Sequence, residues 1–493
     1  MLFNSLDFLI FFPLAVLVYL LIPARFRQIW LLLCSWFFYA CWNVRYILLL
    51  LASTVITYAC ARWMEKLEEQ RRKRLPLILC ILLNLAILFT FKYLDFFLSS
   101  VGGLFRTGNV PQFDLLLPVG ISFYIFQALG YTIDCYRGDI SAEHNFISYA
   151  LFVSFFPQLV AGPIERSASL LPQIRNLSSL SRKELWDFER IRNGCILIAW
   201  GMFMKVVIAD RVSVLVDQVY SHYGLYGTVG LMMAVLGFGL QIYCDFGGYS
   251  MMAVGAAGVM GIRLMENFRA PYFSTSVTDF WRRWHISLST WFRDYLYIPL
   301  GGNRKGTAKK LLFLLITFTV SGLWHGANWT FVFWGLLHGF LLVIENLLRP
   351  LVRRMHAAWN VRTNTAGFRI CRACLVTLIV DFAWIFFRAD TISDAMTIIS
   401  RIFTKMDLWV LSGGEIFTYG LDAAECRILM AALLILIIVD ILRVRTGLMI
   451  DQWLAGQYAG FRIAFVLLIV MLTIVFGQYG PGFDSKQFIY FQF

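Results

Sequence analysis

Charge is what this sequence lacks. Only 15% of its 493 residues are Asp, Glu, Lys or Arg, 59% are hydrophobic, and none of those four charged types falls between Lys310 and Glu345. With a mean hydropathy of +0.69, the chain cannot be an ordinary soluble domain, in which about 25% of residues are charged. Acidic residues are the scarcer kind, 30 against 43 basic ones, for a formal charge of +13. No aromatic-basic module accompanies that excess, so nucleic-acid binding is excluded. The surplus is read as loops held on the cytoplasmic side. The clusters at 65–74 and 349–354 can also contact anionic lipid head groups. There is no internal repeat and no low-complexity tract. A G-x-S-x-G elbow, a P-loop and an H-E-x-x-H are all missing, so the chain offers no obvious protein nucleophile, nucleotide cradle or zinc helix. Ten cysteines sit mostly inside apolar runs, where they pack as small hydrophobes. Cys371 and Cys374 form a C-x-x-C without a second pair at ligand spacing, so no metal site is expected. The first residues lack the basic stretch of a cleaved signal peptide. The expectation is a retained first span with its N-terminus outside and Arg25 inside.

What is present is apolar length. A membrane helix takes about 20 residues, so the chain predicts an all-α polytopic membrane bundle of roughly 10–12 segments. They are expected near 6–22, 29–43, 46–61, 75–91, 113–133, 146–160, 194–210, 228–250, 311–343, 373–388, 428–442 and 461–477, within one membrane domain covering 1–493. The 311–343 stretch is too long for one upright helix and carries Gly322, Gly326, Gly335 and Gly339, so a tilt, kink or break is expected. Pro157 to Ile164 mixes two prolines with a glycine after an apolar run, which predicts a broken or re-entrant element. Segment 164–192 reads as a cytoplasmic loop containing a helix, and 262–310 as a long polar interruption.

Against this background a few polar residues stand out. His325 lies in a run without charge, and an ionisable group at membrane depth is costly and usually faces a bundle interior or a wet cavity. Imidazole is also the side chain best suited to moving protons near neutral pH. The alternative is a histidine hydrogen-bonded between helices. His338 follows 13 residues later, about 140° away around an unbroken helix, and is read as packing unless the glycines break that helix. Asn328, three residues from His325, shares its face. Within 279–297, Trp281, Trp284, Leu288, Trp291 and Tyr295 make one helical stripe, and Arg282, His285, Ser289 and Arg293 another. This predicts one amphipathic helix in the interface or roofing a cavity. His285 is there either as an interfacial polar residue or as a lining for a polar substrate. Arg282, Arg283 and Arg293 suit a phosphate-bearing donor or lipid phosphates. Asp245 is a carboxylate in an apolar context, sharing a face with Gln241, and needs a partner such as a histidine or an arginine. His144, His222 and His356 read as solvated loop residues. A histidine without a protein nucleophile leaves general-base chemistry, in which imidazole takes a proton from a hydroxyl as that hydroxyl attacks an activated carbonyl in a water-poor cavity.

At these residues the chain resembles the membrane-bound O-acyltransferase family, and within it the alginate O-acetylation type. The segments that carry the likeness are VGISFYIFQALGYTIDCYRG (119–138), SFFPQLVAGPIER (154–166), QIYCDFGGYSMMAVGAAGVMGI (241–262), ENFRAPYFSTSVTDFWRRWHISLSTWFRDYLYIPLGGNRKG (266–306), SGLWHGANWTFVFWGLLHG (321–339), FAWIFFRA (382–389) and the terminal FIYFQF (488–493), with the most specific motifs inside about 118–340. The resemblance implies a helical bundle with re-entrant or interfacial helices around a central tunnel. It implies O-acyl transfer, with the family's catalytic histidine at His325 and its second histidine at His285. Asn328, Asp245, Trp324, Arg282 and Arg293 are then supporting or substrate-orienting residues. The implied activity is transfer of acetyl from a cytoplasmic thioester, acetyl-CoA or an acyl-carrier pantetheine, for O-acetylation of an exported or envelope polysaccharide. No tightly bound cofactor is expected. A periplasmic or membrane-anchored acetyltransferase partner and a bacterial inner-membrane location are implied as well. A D-alanyl transfer protein for teichoic acids shares the two histidine segments, while the YIPLGGNRKG and HGANWTF wording is more like the acetyl type. A transporter, or a non-catalytic scaffold of an export complex, is the alternative of another class.

Overall fold

The computed structural model describes residues 1–105 and 111–479. The terminal FIYFQF segment lies outside the described residues. Among the described residues the chain is helical, without a strand. Seven helices are long and apolar enough to cross a membrane: Tyr46–Glu65, Arg74–Phe105, Thr228–Val259, Thr307–His325, Trp329–Ala358, Ala366–Arg388 and Ala459–Phe476. Six other expected segments are shorter, broken or less apolar. Leu6–Leu21 is 16 residues long and Arg27–Ala40 only 14. The segment expected at 113–133 becomes helical only at Ile121. Ala459–Phe476 is apolar and only 6% buried, an exposed hydrophobic surface of the kind a lipid environment covers.

The chain divides into two compact units, one of Met1–Ile198 with Tyr249–Glu266, the other containing Ala199–Gly248 and the described residues from Asn267 onward. In the first unit, Tyr46–Glu65 packs on Arg74–Leu88 and on Ile121–Arg137. Its polar side chains bond internally, as a lipid environment demands: Ser53 Oγ donates to Asn84 Oδ1 at 2.6 Å and Tyr149 OH to Thr57 Oγ1 at 2.6 Å. The element expected to be broken is broken. Phe146–Ser154 ends at Phe155, a single turn Phe156–Leu159 follows, and residues 160–164 run on as buried irregular chain. Gln127 and Gln158 both donate to the carbonyl of Phe152 that this break exposes, at 2.6 and 2.8 Å. Beyond it, Glu165 accepts the backbone N–H of Met265 at 2.5 Å, and burial pushes its carboxyl up to about 7. The 164–192 segment holds two helices, Ser167–Asn176 and Arg182–Leu185, the latter opened by a Ser181/Glu184 capping box.

In the second unit the expected interruption of 311–343 is a clean break. Thr307–His325 stops, residues 326–328 are extended or irregular, and Trp329–Ala358 starts from Asn328. The two helices fold back on each other with their backbones nearly touching. A Cβ on Gly322 would lie 2.2 Å from the carbonyl oxygen of Phe331, and one on Gly335 2.3 Å from that of Phe318. Only glycine permits that approach. Trp329–Ala358 in turn packs on Ala366–Arg388.

Candidate active site

The hairpin ends Thr307–His325 on the histidine, and the neighbouring 267–297 segment brings up His285. The ring centroids of the two imidazoles are 6.3 Å apart. His325 is 5% exposed and His285 1%. Aromatic side chains surround them. Trp324, Trp334 and Phe387 lie at 5.0, 5.1 and 5.3 Å from the His325 ring. Phe246 lies at 4.7 Å and Trp324 at 6.0 Å from that of His285. Trp324 is thus against both histidines. Such a setting excludes water and strengthens every polar interaction inside it.

The predicted single helix over 279–295 does not form. Val277–Arg283 and Ile286–Phe292 are separate helices, and His285 between them has φ 42° and ψ 54°, in the left-handed region. The 3,4 spacing continues through this break, so periodicity alone could not reveal it. The chain at 267–269 supplies the groups that the break requires. Arg269 N–H donates to the Arg283 carbonyl at 2.9 Å and Ile286 N–H to the Asn267 carbonyl at 3.0 Å. The aromatic stripe is nonetheless buried, with Trp281, Trp284, Leu288 and Trp291 all inside, while Arg282 and Arg293 on the other face stay exposed. Burial pushes the His285 imidazole down to about 3, leaving the ring neutral at physiological pH.

The other candidates are placed differently. Arg282 and Arg293 are exposed, and Arg293 Nε pairs with its neighbour Asp294 at 2.7 Å, so the structure does not gather them at the histidines. Asn328 is not on His325's helical face, because the helix ends between them. It caps the next helix, accepting Thr330 N–H at 3.1 Å and donating to the Asp390 carbonyl at 2.9 Å. His338 is fully buried and its Nδ1 accepts from Trp281 Nε1 at 3.3 Å, with Trp334 packed between the His325 and His338 rings at 5.1 and 4.9 Å. His144, His222 and His356 lie in exposed or half-exposed positions.

Asp245 pairs with a lysine. Lys205 Nζ lies 2.7 Å from Asp245 Oδ1 and 2.7 Å from Asp210 Oδ1, and all three residues are at most 3% exposed. Lys205 and Asp210 were not singled out in the sequence. The available signal was two charges, Lys205 and Asp210, inside a predicted apolar span, which implies a buried partner. Lys205 sits in a π-helical stretch, Phe203–Ala209, that interrupts an otherwise α-helical run. Cavities in the first unit include two lined by described residues. One, of about 700 Å3, is lined by apolar residues such as Phe11, Leu14 and Trp30. The other, of about 500 Å3, is lined by Arg25, Glu143 and Arg175 among others. Neither is lined by His285 or His325.

Comparison with known proteins matches residues 18–380 to the membrane-bound O-acyltransferase family. A Pseudomonas putida protein named "probable alginate O-acetylase" is 39% identical over 422 residues, covering 84% of this chain and 82% of its own. A Helicobacter pylori peptidoglycan O-acetyltransferase is 35% identical over 439 residues, covering 81% and 79%. A Streptococcus thermophilus teichoic acid D-alanyltransferase is 31% identical over 248 residues, covering 47% and 57%. With its helical membrane architecture and this match over most of its length, the chain belongs to the membrane-bound O-acyltransferase family and is a multi-pass membrane O-acyltransferase.

Proposed function

We propose that the chain takes an acetyl group from a cytoplasmic pantetheine thioester, acetyl-CoA or an acetylated carrier, and passes it across a bacterial inner membrane for O-acetylation of an exported or cell-envelope polysaccharide. The observation that carries this reading is the pair of buried imidazoles, 6.3 Å apart between ring centroids, brought together from two separate segments inside an aromatic enclosure. The acetyl and polysaccharide assignments draw support from the names of the two relatives that cover most of the chain.

In this reaction an acceptor hydroxyl oxygen attacks the thioester carbonyl carbon. His325 accepts the hydroxyl proton as the C–O bond forms. The C–S bond then breaks, and the proton passes to the departing thiolate. His285, a neutral imidazole whose burial lowers its affinity for a proton, holds the reacting group from the second side. The aromatic walls keep out the water that would hydrolyse the thioester. Lipids surround the bundle, and a periplasmic or membrane-anchored acetyltransferase completes delivery to the polymer.

The test is His325→Ala expressed in cells lacking the wild-type gene. Base-labile acetate from the envelope polysaccharide should fall to the level of the empty strain, with membrane abundance of the protein unchanged. Wild-type acetate in that variant overturns the assignment. D-alanine in place of acetate in the wild-type hydrolysate would instead favour teichoic acid transfer.

A further inference from the structure

The irregular chain at 267–269 does more than close the break at His285. Asn267 is 2% exposed, and its side-chain oxygen faces three groups. It accepts the backbone N–H of Ser287 at 3.2 Å and the hydroxyl of Ser287 at 2.9 Å, and it lies 3.2 Å from Nδ1 of His285. An amide can be turned over so that nitrogen and oxygen exchange places, but here the backbone fixes the choice. The N–H of Ser287 can only donate, so the atom facing it is oxygen. An amide oxygen can only accept. The imidazole nitrogen beside it must therefore carry the hydrogen.

We propose that Asn267 is a positioning residue for acyl transfer: its side-chain oxygen holds the His285 proton on Nδ1 and so leaves the lone pair on Nε2 for the reaction centre. The same contacts hold His285 in its left-handed conformation, which costs a non-glycine residue roughly 1–2 kcal/mol. A ring held this way keeps both its orientation and its tautomer, the two properties that a positioned imidazole needs. Among the described residues the amide nitrogen of Asn267 has no hydrogen-bond partner, and the oxygen makes these contacts. The importance of Asn267 for turnover rests on the role given to His285 above. The tautomer itself does not.

Two measurements separate these statements. Protein labelled with 15N-histidine in lipid nanodiscs reports the tautomer of each ring, with His285 identified by the signals lost in His285→Gln. A protonated Nδ1 and bare Nε2 are expected, and the opposite tautomer overturns the proposal whatever the activity. In cells, Asn267→Leu, close in size but without an acceptor, should lower polysaccharide acetate by on the order of 10²–10⁴-fold at matched membrane abundance, the range that a general acid or base contributes. Asn267→Asp, which keeps the acceptor, should recover at least about tenfold of that loss. Wild-type acetylation in Asn267→Leu, or no recovery in Asn267→Asp, overturns the positioning role. If His285→Gln acetylates normally, the catalytic reading of His285 fails while the tautomer assignment stands. Should Asn267→Leu fail to reach the membrane, the spectrum of the wild-type protein decides.

Discussion

The glycine contact in the histidine hairpin makes Gly322→Ala a sharp perturbation. A Cβ there falls 2.2 Å from the Phe331 carbonyl oxygen and 3.0 Å from the Gly335 Cα, and both obstacles are backbone, which cannot rotate aside. An ordinary carbon–oxygen contact is about 3.3 Å or more, so the two helices must separate by about 1 Å. Overpacking of this kind costs about 1–3 kcal/mol, while alanine in place of glycine within a helix returns about 1 kcal/mol of propensity. Stability should therefore fall by about 0–2 kcal/mol, and the variant should still fold. Catalysis should suffer more. Gly322 is one turn before His325, and Gly335 follows directly on Trp334, which packs at 5.1 Å from the His325 ring. A displacement of about 1 Å at a reacting group can cost about 100-fold in rate. The assay is polysaccharide acetate per unit of membrane-inserted protein, with a thermal-aggregation curve in detergent alongside. Gly367→Ala, where an added Cβ meets nothing within 4 Å, is the control. Gly322→Ala acetylating at the wild-type rate would refute the claim that this close approach sets the position of His325.

Two further outcomes follow from buried charge. Lys205→Met leaves two buried carboxylates without their cation and should lower stability by about 3–5 kcal/mol, read as early aggregation on heating; adding Asp210→Asn and Asp245→Asn should restore most of it, and a stable single variant counts against the ion cluster. Glu165, with its folded value raised to about 7, binds its proton more tightly folded than unfolded, so its contribution is present below the unfolded value near 4.5 and is lost as pH rises through 7. The full loss is about 3 kcal/mol, and Glu165→Gln should flatten the pH dependence of the melting temperature between pH 5 and about 8; an unchanged dependence refutes it.

Much of this molecule was legible in its sequence. Apolar length marked the helices, glycine spacing marked the interruption of 311–343, and the prolines at 157 and 163 marked the buried irregular turn. His325 stood out because ionisable groups are rare in such surroundings, whereas His285, among arginines in a polar segment, was marked by the family resemblance. What escaped has a common physical cause, since local periodicity carries no information about partners distant in the chain. The break at Trp284–His285 is held by residues 267–269, so the stripe reads as one helix although the fold makes two. Lys205 joins Asp245 across 40 positions of sequence, and Asn328 reads as a neighbour of His325 only while the helix is taken as continuous. The arginines at 282 and 293 share the polar stripe with His285 in sequence but are exposed in the fold, while His285 is buried.

The ion cluster at Lys205 also bears on how sequences of this kind can change over time. One ammonium faces two carboxylates, so the three positions share a single balance of charge inside apolar surroundings. Losing the lysine alone strands two anions, and losing either acid alone alters the net charge of the remainder. Drift at 205, 210 and 245 should therefore be concerted, with descendants either retaining the whole set or replacing it by neutral residues together. A covariation of this kind would be a record, kept in many chains, of a contact made within one.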